Sequence, residues 1–295
     1  MGTTARLIQK AGLFLVTAVF IVCFSGCGGS AGQPASPADA GIYSKVVSLT
    51  PSVTRSIYQL GAQDILTGCS SYCEVSELDS ITVSGSVIGP DIEKIVSLKP
   101  DLVILSDFVS ENDVETLEKF GLKVEIFRSP GSFEELCSEF IRLGKMVGRG
   151  KEAELIVEES REEVRFLQEK SKEEDSKPGI FMQIGASPVF SVIPGTFMDD
   201  YITFTGAKNI AAELTNGIVG REYVVSKNPD FIFIVTMGDF GDSEKVQWSR
   251  FTRMNAAREN NIHIIDARIA CEPTPGNFMK TLRIMAGYLE NGKKE

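Results

Sequence analysis

Histidine is almost absent from this chain: among 295 residues only His263 occurs. That argues against zinc and other centres that need several imidazoles. It also leaves acid–base catalysis without its usual agent. His263 lies inside "NIHIID", an apolar strand pattern in which it reads as packing. Tryptophan is equally scarce, with Trp248 alone. Basic charge is in deficit, 30 Lys and Arg against 40 Asp and Glu, for a net charge of −10. A chain this acidic is a poor match for nucleic acid, and no nucleic-acid partner is expected. No Walker loop, HExxH motif or hydrolytic triad is present, so no enzymatic activity is expected. Six cysteines in a chain of this length do not make a disulfide scaffold.

Long apolar runs are confined to one place. Arg6 and Lys10 precede "AGLFLVTAVFIVCFSG", which carries no charge from Ala11 to Gly26. It is shorter than the roughly 20 apolar residues a membrane-spanning helix needs. It fits the apolar core of an export signal, residues 1–26. The run ends in "FSGC", which resembles the lipoprotein cleavage box, with Phe24 where an aliphatic residue is commoner. That resemblance implies cleavage before Cys27 and lipid on its sulfur. Residues 27–43, small, polar and rich in Pro and Gly, read as the anchor and a flexible tether. The expected location is the outer face of the cytoplasmic membrane.

From residue 44 onward, strand and helix patterns alternate. "KVVSL", "DILTGC", "DLVILSD" and "LKVEIFRS" are short β-branched runs. Between and after them, "TPSVTRSIYQLGA", "DIEKIVSLKP", "ENDVETLEKFG" and "SFEELCSEFIRLGKMVG" have helical spacing and caps. Residues 149–174 are highly charged, with one apolar stripe at Ala153, Ile156, Val157, Val164 and Leu167. They predict one helix from about 150 to 173, spanning roughly 35 Å. Alternation then resumes with strands "GIFMQIG", "DFIFIVTM" and "NNIHIID" and helices "TFMDDYITFTGA", "REYVVSKNP" and "NFMKTLRIMAGYLE". The fold class expected is α/β: two Rossmann-like lobes, 44–148 and 175–295, with mostly parallel sheets joined by a single long rigid helix. The halves share a phrase, "IEKIVSLKPDLVIL" (92–105) and "REYVVSKNPDFIFI" (221–234).

Taken together, "VVSLTPSVTRSIYQLGA", "GCSSYCE", "IEKIVSLKPDLVI" and "GREYVVSKNPDFIFI" resemble the substrate-binding proteins of metal-chelate ABC importers. That class carries vitamin B12, ferric siderophores and haem. The resemblance runs from Lys45 to Leu289. It implies a monomer whose ligand sits in a cleft between the lobes, with an ABC permease and its ATPase as partners. Glu93 and Glu222 hold matching positions in the repeated phrase, and the resemblance assigns them to permease docking. Tyr72 falls where B12-binding members place an aromatic against the corrin. Val87 and Asn216 stand where those members carry tryptophan. An oxyanion such as molybdate, which some members carry, is an alternative ligand.

The residues point to the same cleft independently. In open α/β sheets ligands bind beyond the carboxyl ends of the strands. This places Ser52 after the first strand, Tyr72 after the second, and Ser187 in the 185–190 loop at the ligand. Arg268, in "DARIACEPTPGN", is positioned to grip a carboxylate or other oxyanion, or else to pair with Asp266 or Glu272. No resident metal or cofactor is expected. Cys69 and Cys73 frame Tyr72 and leave three readings open: packing, a disulfide, or shared metal ligation. A metal-dependent redox protein is the rival from another class and would need Cys69, Cys73 and Cys271 gathered in the cleft. A ligand sensor docking on a receptor is a third.

Overall fold

The computed structural model describes residues 42–73, 81–172, 177–236 and 240–292. The leader, Cys27 and the tether through residue 41 lie outside them.

The first sheet comprises β1 (Val46–Ser48), β2 (Leu66–Cys69), β3 (Thr82–Val83), β4 (Leu102–Ser106) and β5 (Val124–Phe127). Its order is β3-β2-β1-β4-β5, and every pairing is parallel. Between the strands run α1 (Pro51–Gln59), α2 (Ile92–Leu98) and α3 (Glu111–Lys119), and α4 (Phe133–Met146) follows β5. The continuous apolar runs reflect burial on both faces. Along β1 and β4, Val46, Leu102 and Ile104 enter one core cluster, and Val47, Val103 and Leu105 the opposite one.

Next comes α5, Gly150–Lys172, 23 residues. It packs against α4 and against α11 (Pro275–Asn291), the last helix. Gly144 of α4 sits so close to α5 that an added Cβ would lie 2.5 Å from the Cβ of Ala153. Arg161–Glu134, Lys170–Glu290 and Arg283–Glu163 ion pairs fasten the charged faces of these helices. The apolar stripe residues Ala153, Val157 and Val164 are buried in the largest core cluster, shared by both sheets.

The second sheet has the order β10-β9-β6-β7. It uses β6 (Gly179–Ala186), β7 (Val189–Ser191), β9 (Phe231–Thr236) and β10 (Ile262–Asp266), with β8 (Lys208–Asn209) also pairing β6. The β6–β7 pair is antiparallel and the others are parallel. The helices here are α6 (Phe197–Phe204), α7 (Arg221–Lys227), α8 (Phe240–Ser249), α9 (Asn255–Arg258) and α10 (Ala267–Ala270). Along β9, Phe231, Phe233 and Val235 face the shared core, and Ile232 and Ile234 face the outer cluster.

Sequence patterning had not marked β3, β7, β8, α8, α9 or α10. Strands of two or three residues are too short to show a period. In α8 the buried residues are Gly241, Glu244 and Trp248, so the inward face carries no apolar stripe.

The repeated phrase builds the same device twice. Both α2 and α7 end in a left-handed residue, Lys99 (φ 50°) and Asn228 (φ 46°), followed by Pro and Asp. Asp101 accepts hydrogen bonds from the Ser44 and Lys45 amides, both at 2.9 Å, at the start of β1. Asp230 accepts one from the Gly179 amide at 2.8 Å, at the start of β6. Each Asp thus ties the first strand of its sheet to the strand that follows the helix. Burial works to raise the Asp101 carboxyl, but the Ser44 and Lys45 amides outweigh it and hold it below its ordinary value.

Candidate functional site: a cleft at the strand ends

The carboxyl ends of the parallel strands from both sheets converge on one cavity of about 620 Å³. That lies within the range of small-molecule sites, roughly 300–1,000 Å³. One wall is built from the ends of β1 to β5 and from α4; the other comes from β6, β9, the start of α8 and the segment after β10.

The first wall is apolar and pre-arranged. Tyr72, Ile88 and Phe108 all line the cleft and are 67%, 68% and 66% exposed. Three large apolar side chains left in water around one concavity mark a ligand surface. Buried serines hold them there. Ser70 Oγ accepts from the Tyr72 amide (3.2 Å) while its carbonyl accepts from the Cys73 amide (3.0 Å), which closes the turn. The Ser71 amide donates to the carbonyl of Gly85, whose φ of 137° suits glycine. Ser106 Oγ donates to the Val87 carbonyl (3.0 Å) and accepts from the Phe108 amide (3.3 Å). One buried hydroxyl thereby fixes the loops on either side of the β4 end.

Polar groups are few. Thr50 precedes α1 without a side-chain cap, contrary to the capping its position predicts. Thr50 lines the cleft, but its Oγ1 is itself buried and has no partner. Ser52, Tyr72 and Arg268 line the cavity, and Val87 does too. Ser187 and Asn216 do not appear on the lining. Ser187 sits in the reverse turn between β6 and β7, and the β6 residue that reaches the cleft is Ile184. Arg128, at the end of β5, reaches the lining without having been singled out from sequence.

Arg268 does not offer its whole charge to the cleft. Its Nε lies 3.0 and 2.9 Å from the Asp266 carboxylate oxygens, and its Nη2 also bonds Asp266. These contacts hold the Asp266 carboxyl below its ordinary value. Glu272 pairs with Arg55 of α1, an ion pair that joins the two walls.

Sulfur frames the site without forming a metal set. Cys69 and Cys73 are buried, and no disulfide forms among the described residues. The Cys69 thiol is hydrogen-bonded to Cys73 and is raised by that bond and by burial. Cys73 is lowered, first by the bond from Cys69, with Ser70 and Thr54 also contributing. Cys271 lines the cleft, whereas Cys69 and Cys73 do not. Desolvation and the Glu272 charge push the Cys271 thiol up to about 11, so it is protonated at neutral pH. Among the described residues, no three His, Cys, Asp or Glu side chains gather as metal ligands.

The matched acids stand outside the cleft. Glu93 and Glu222 occupy the first turns of α2 and α7, and both are exposed. His263 is half-buried and stacks on Tyr288 with ring centroids 3.7 Å apart. Among the described residues, no helix is long and apolar enough to cross a membrane.

Two parallel-dominated sheets joined by one long helix carry a cleft at their strand ends. The sequence pattern of the periplasmic binding protein family matches residues 46–269, and the chain belongs to that family. A Bacillus subtilis (strain 168) protein, described as the uncharacterized ABC transporter substrate-binding lipoprotein YvrC, is 25% identical. That match covers 90% of this chain and 93% of that protein. A cobalamin-binding protein of Halobacterium salinarum is 26% identical over 64% of this chain and only about half (53%) of its own length. The periplasmic haem-binding protein HutB of Vibrio cholerae superposes with a TM-score of 0.74. It is 18% identical and covers 83% of this chain and 98% of that one. This last likeness bears on the fold alone.

Proposed function

We propose that this protein captures a large metal chelate in the cleft, a corrinoid, a haem or a ferric siderophore, and delivers it to an ABC permease. The cleft carries the reading: Tyr72, Ile88 and Phe108 form an exposed apolar wall, and Ile184 and Phe240 belong to the opposite one. A broad apolar ligand fits between such walls. The cobalamin- and haem-binding relatives support the same ligand classes. A small oxyanion would leave most of that apolar surface wet. In this reading Ser52, Thr50 and Arg268 supply the few orienting polar contacts, and Ser187 has no direct one.

Glu93 and Glu222 dock on the permease. Both are exposed carboxylates at matched helix starts, and charges so placed fix register and orientation more than they add affinity. Residues 1–26 act as leader, Cys27 carries lipid, and 27–43 tether the lobes 44–148 and 175–295, joined by helix 149–174. The lipoprotein description of the Bacillus relative supports this anchoring.

The test is a titration of the soluble form lacking residues 1–27 with cyanocobalamin, hemin and ferric siderophores, followed by absorbance. Saturable binding without turnover is expected for one of them, with affinity cut about tenfold by Tyr72→Ala. Binding of none would sink the reading. Glu93→Ala combined with Glu222→Ala is expected to abolish uptake in cells and change Kd by less than about twofold.

A further inference from the structure

Arg221 stands next to Glu222 but turns inward. Its Nη2 lies 2.7 and 2.8 Å from the two oxygens of Glu244. Its guanidinium lies over the Trp248 ring, 4.6 Å from the centroid. Glu244 is only 6% exposed, and Trp248 and Gln183 are fully buried. Gln183 closes the circuit: its Nε2 donates to Glu244 (2.7 Å), and its Oε1 accepts from the Trp248 indole N–H (2.7 Å). One donor in this circuit, Arg221 Nη1, is buried without a partner.

The circuit touches the cleft at two points. Gln183 precedes Ile184, which lines the cavity. Phe240, Glu244 and Trp248 follow one another at four-residue steps along α8 and share a face of that helix. Phe240 lines the cavity at one end of this face, and Trp248 supports Arg221 at the other. Arg221 is itself the first residue of α7, and the Gly220 that precedes it offers no side-chain cap. The start of the helix bearing Glu222 is therefore held from inside, by groups whose neighbours along β6 and α8, Ile184 and Phe240, line the cleft.

We infer that Arg221 is a positioning residue for Glu222, and that the Arg221–Glu244–Gln183–Trp248 circuit makes the placement of Glu222 depend on what fills the cleft. A ligand pressing on Ile184 and Phe240 loads β6 and α8, and Arg221 carries that load to the start of α7. A bidentate, stacked guanidinium transmits position in a way a lysine cannot. The permease would thereby meet a differently held acid on loaded and empty protein. This rests on the cleft-binding and docking roles proposed above.

The test is hydrogen exchange of the amides from 220 to 225, in the full chain, with and without saturating cyanocobalamin or hemin. Loading is expected to slow exchange there by about threefold or more in the wild type. Arg221→Lys should bind the same probe within about threefold of the wild-type Kd yet lose the exchange response. Trp248→Phe, which removes the indole N–H bond to Gln183 and shrinks the ring beneath Arg221, should weaken the response. Arg283→Lys, at the unrelated ion pair with Glu163, should keep it. Uptake should fall in Arg221→Lys although its ligand affinity persists. A wild type that binds a probe without any change at 220–225, or an Arg221→Lys variant that responds like the wild type, overturns the inference alone. A chain that binds neither probe, nor a ferric siderophore used in their place, overturns the cleft reading and this inference with it.

Discussion

The two helices that carry the matched acids reach the same geometry by different physics. At the start of α2, Asp91 caps the helix, its carboxylate accepting from the Lys94 amide at 3.0 Å. The holding groups are exposed, and Lys94 reaches onward to the Val83 carbonyl. At the start of α7 no side chain caps, and an ion pair between half-buried Arg221 and buried Glu244, seated on tryptophan, takes over. An exposed cap is a local device worth about 1 kcal/mol. A buried pair is nearly neutral against an apolar alternative but costly to break, so it favours one arrangement sharply. The second acid is thus wired into the interior of its lobe, and the first is held from the surface.

The largest expected effect breaks that contrast at its buried end. Arg221→Met leaves Glu244 buried without its cation and should lower stability by about 3 kcal/mol, read as a drop in the urea midpoint. A loss below about 1 kcal/mol would show that the buried pair is no stronger a constraint than the exposed cap. The corresponding change at the first helix, Asp91→Ala, should lower stability by only about 1 kcal/mol in the same measurement.

The smallest effect is a pH response that belongs to the second half alone. His263 is pushed down to about 4, chiefly by burial against Tyr288 and Phe233, with the Lys245 charge adding to it. The unfolded chain takes up this proton near 6.5 and the folded chain only near 4. The neutral ring's contribution is therefore complete above pH 6.5 and drains away as pH falls toward 4. His263→Gln should flatten the fall in thermal midpoint across that window. An unchanged profile would show that the ring's proton is not linked to folding.

The alternation of strand and helix was legible because buried parallel strands write themselves as runs such as "DLVILSD" and "DFIFIVTM". The long helix was legible as charge with one apolar stripe. The cleft was partly legible: Ser52, Tyr72 and Arg268 follow strand ends, and all three reach it. Arg268 shows the limit, since spacing places it at the cleft but only the folded structure brings Asp266 onto its guanidinium. Thr50 has the type and position of a helix cap, yet its hydroxyl is unpaired. Glu244 gave no signal at all, because a glutamate on a short helix looks like a solvated face until its partners are known.

By itself the sequence determined the two α/β halves, the joining helix and the matched placement of Glu93 and Glu222. These depend on periodicity and local turn chemistry, which act between residues close in the chain. Tertiary structure decided which strand-end residues meet, that Ile184 and not Ser187 reaches the cleft, and that the lone tryptophan supports an arginine inside the second lobe. Those outcomes join residues far apart in the chain, such as Gln183 with Glu244 and Arg55 with Glu272, and depend on distances that only the packed fold sets.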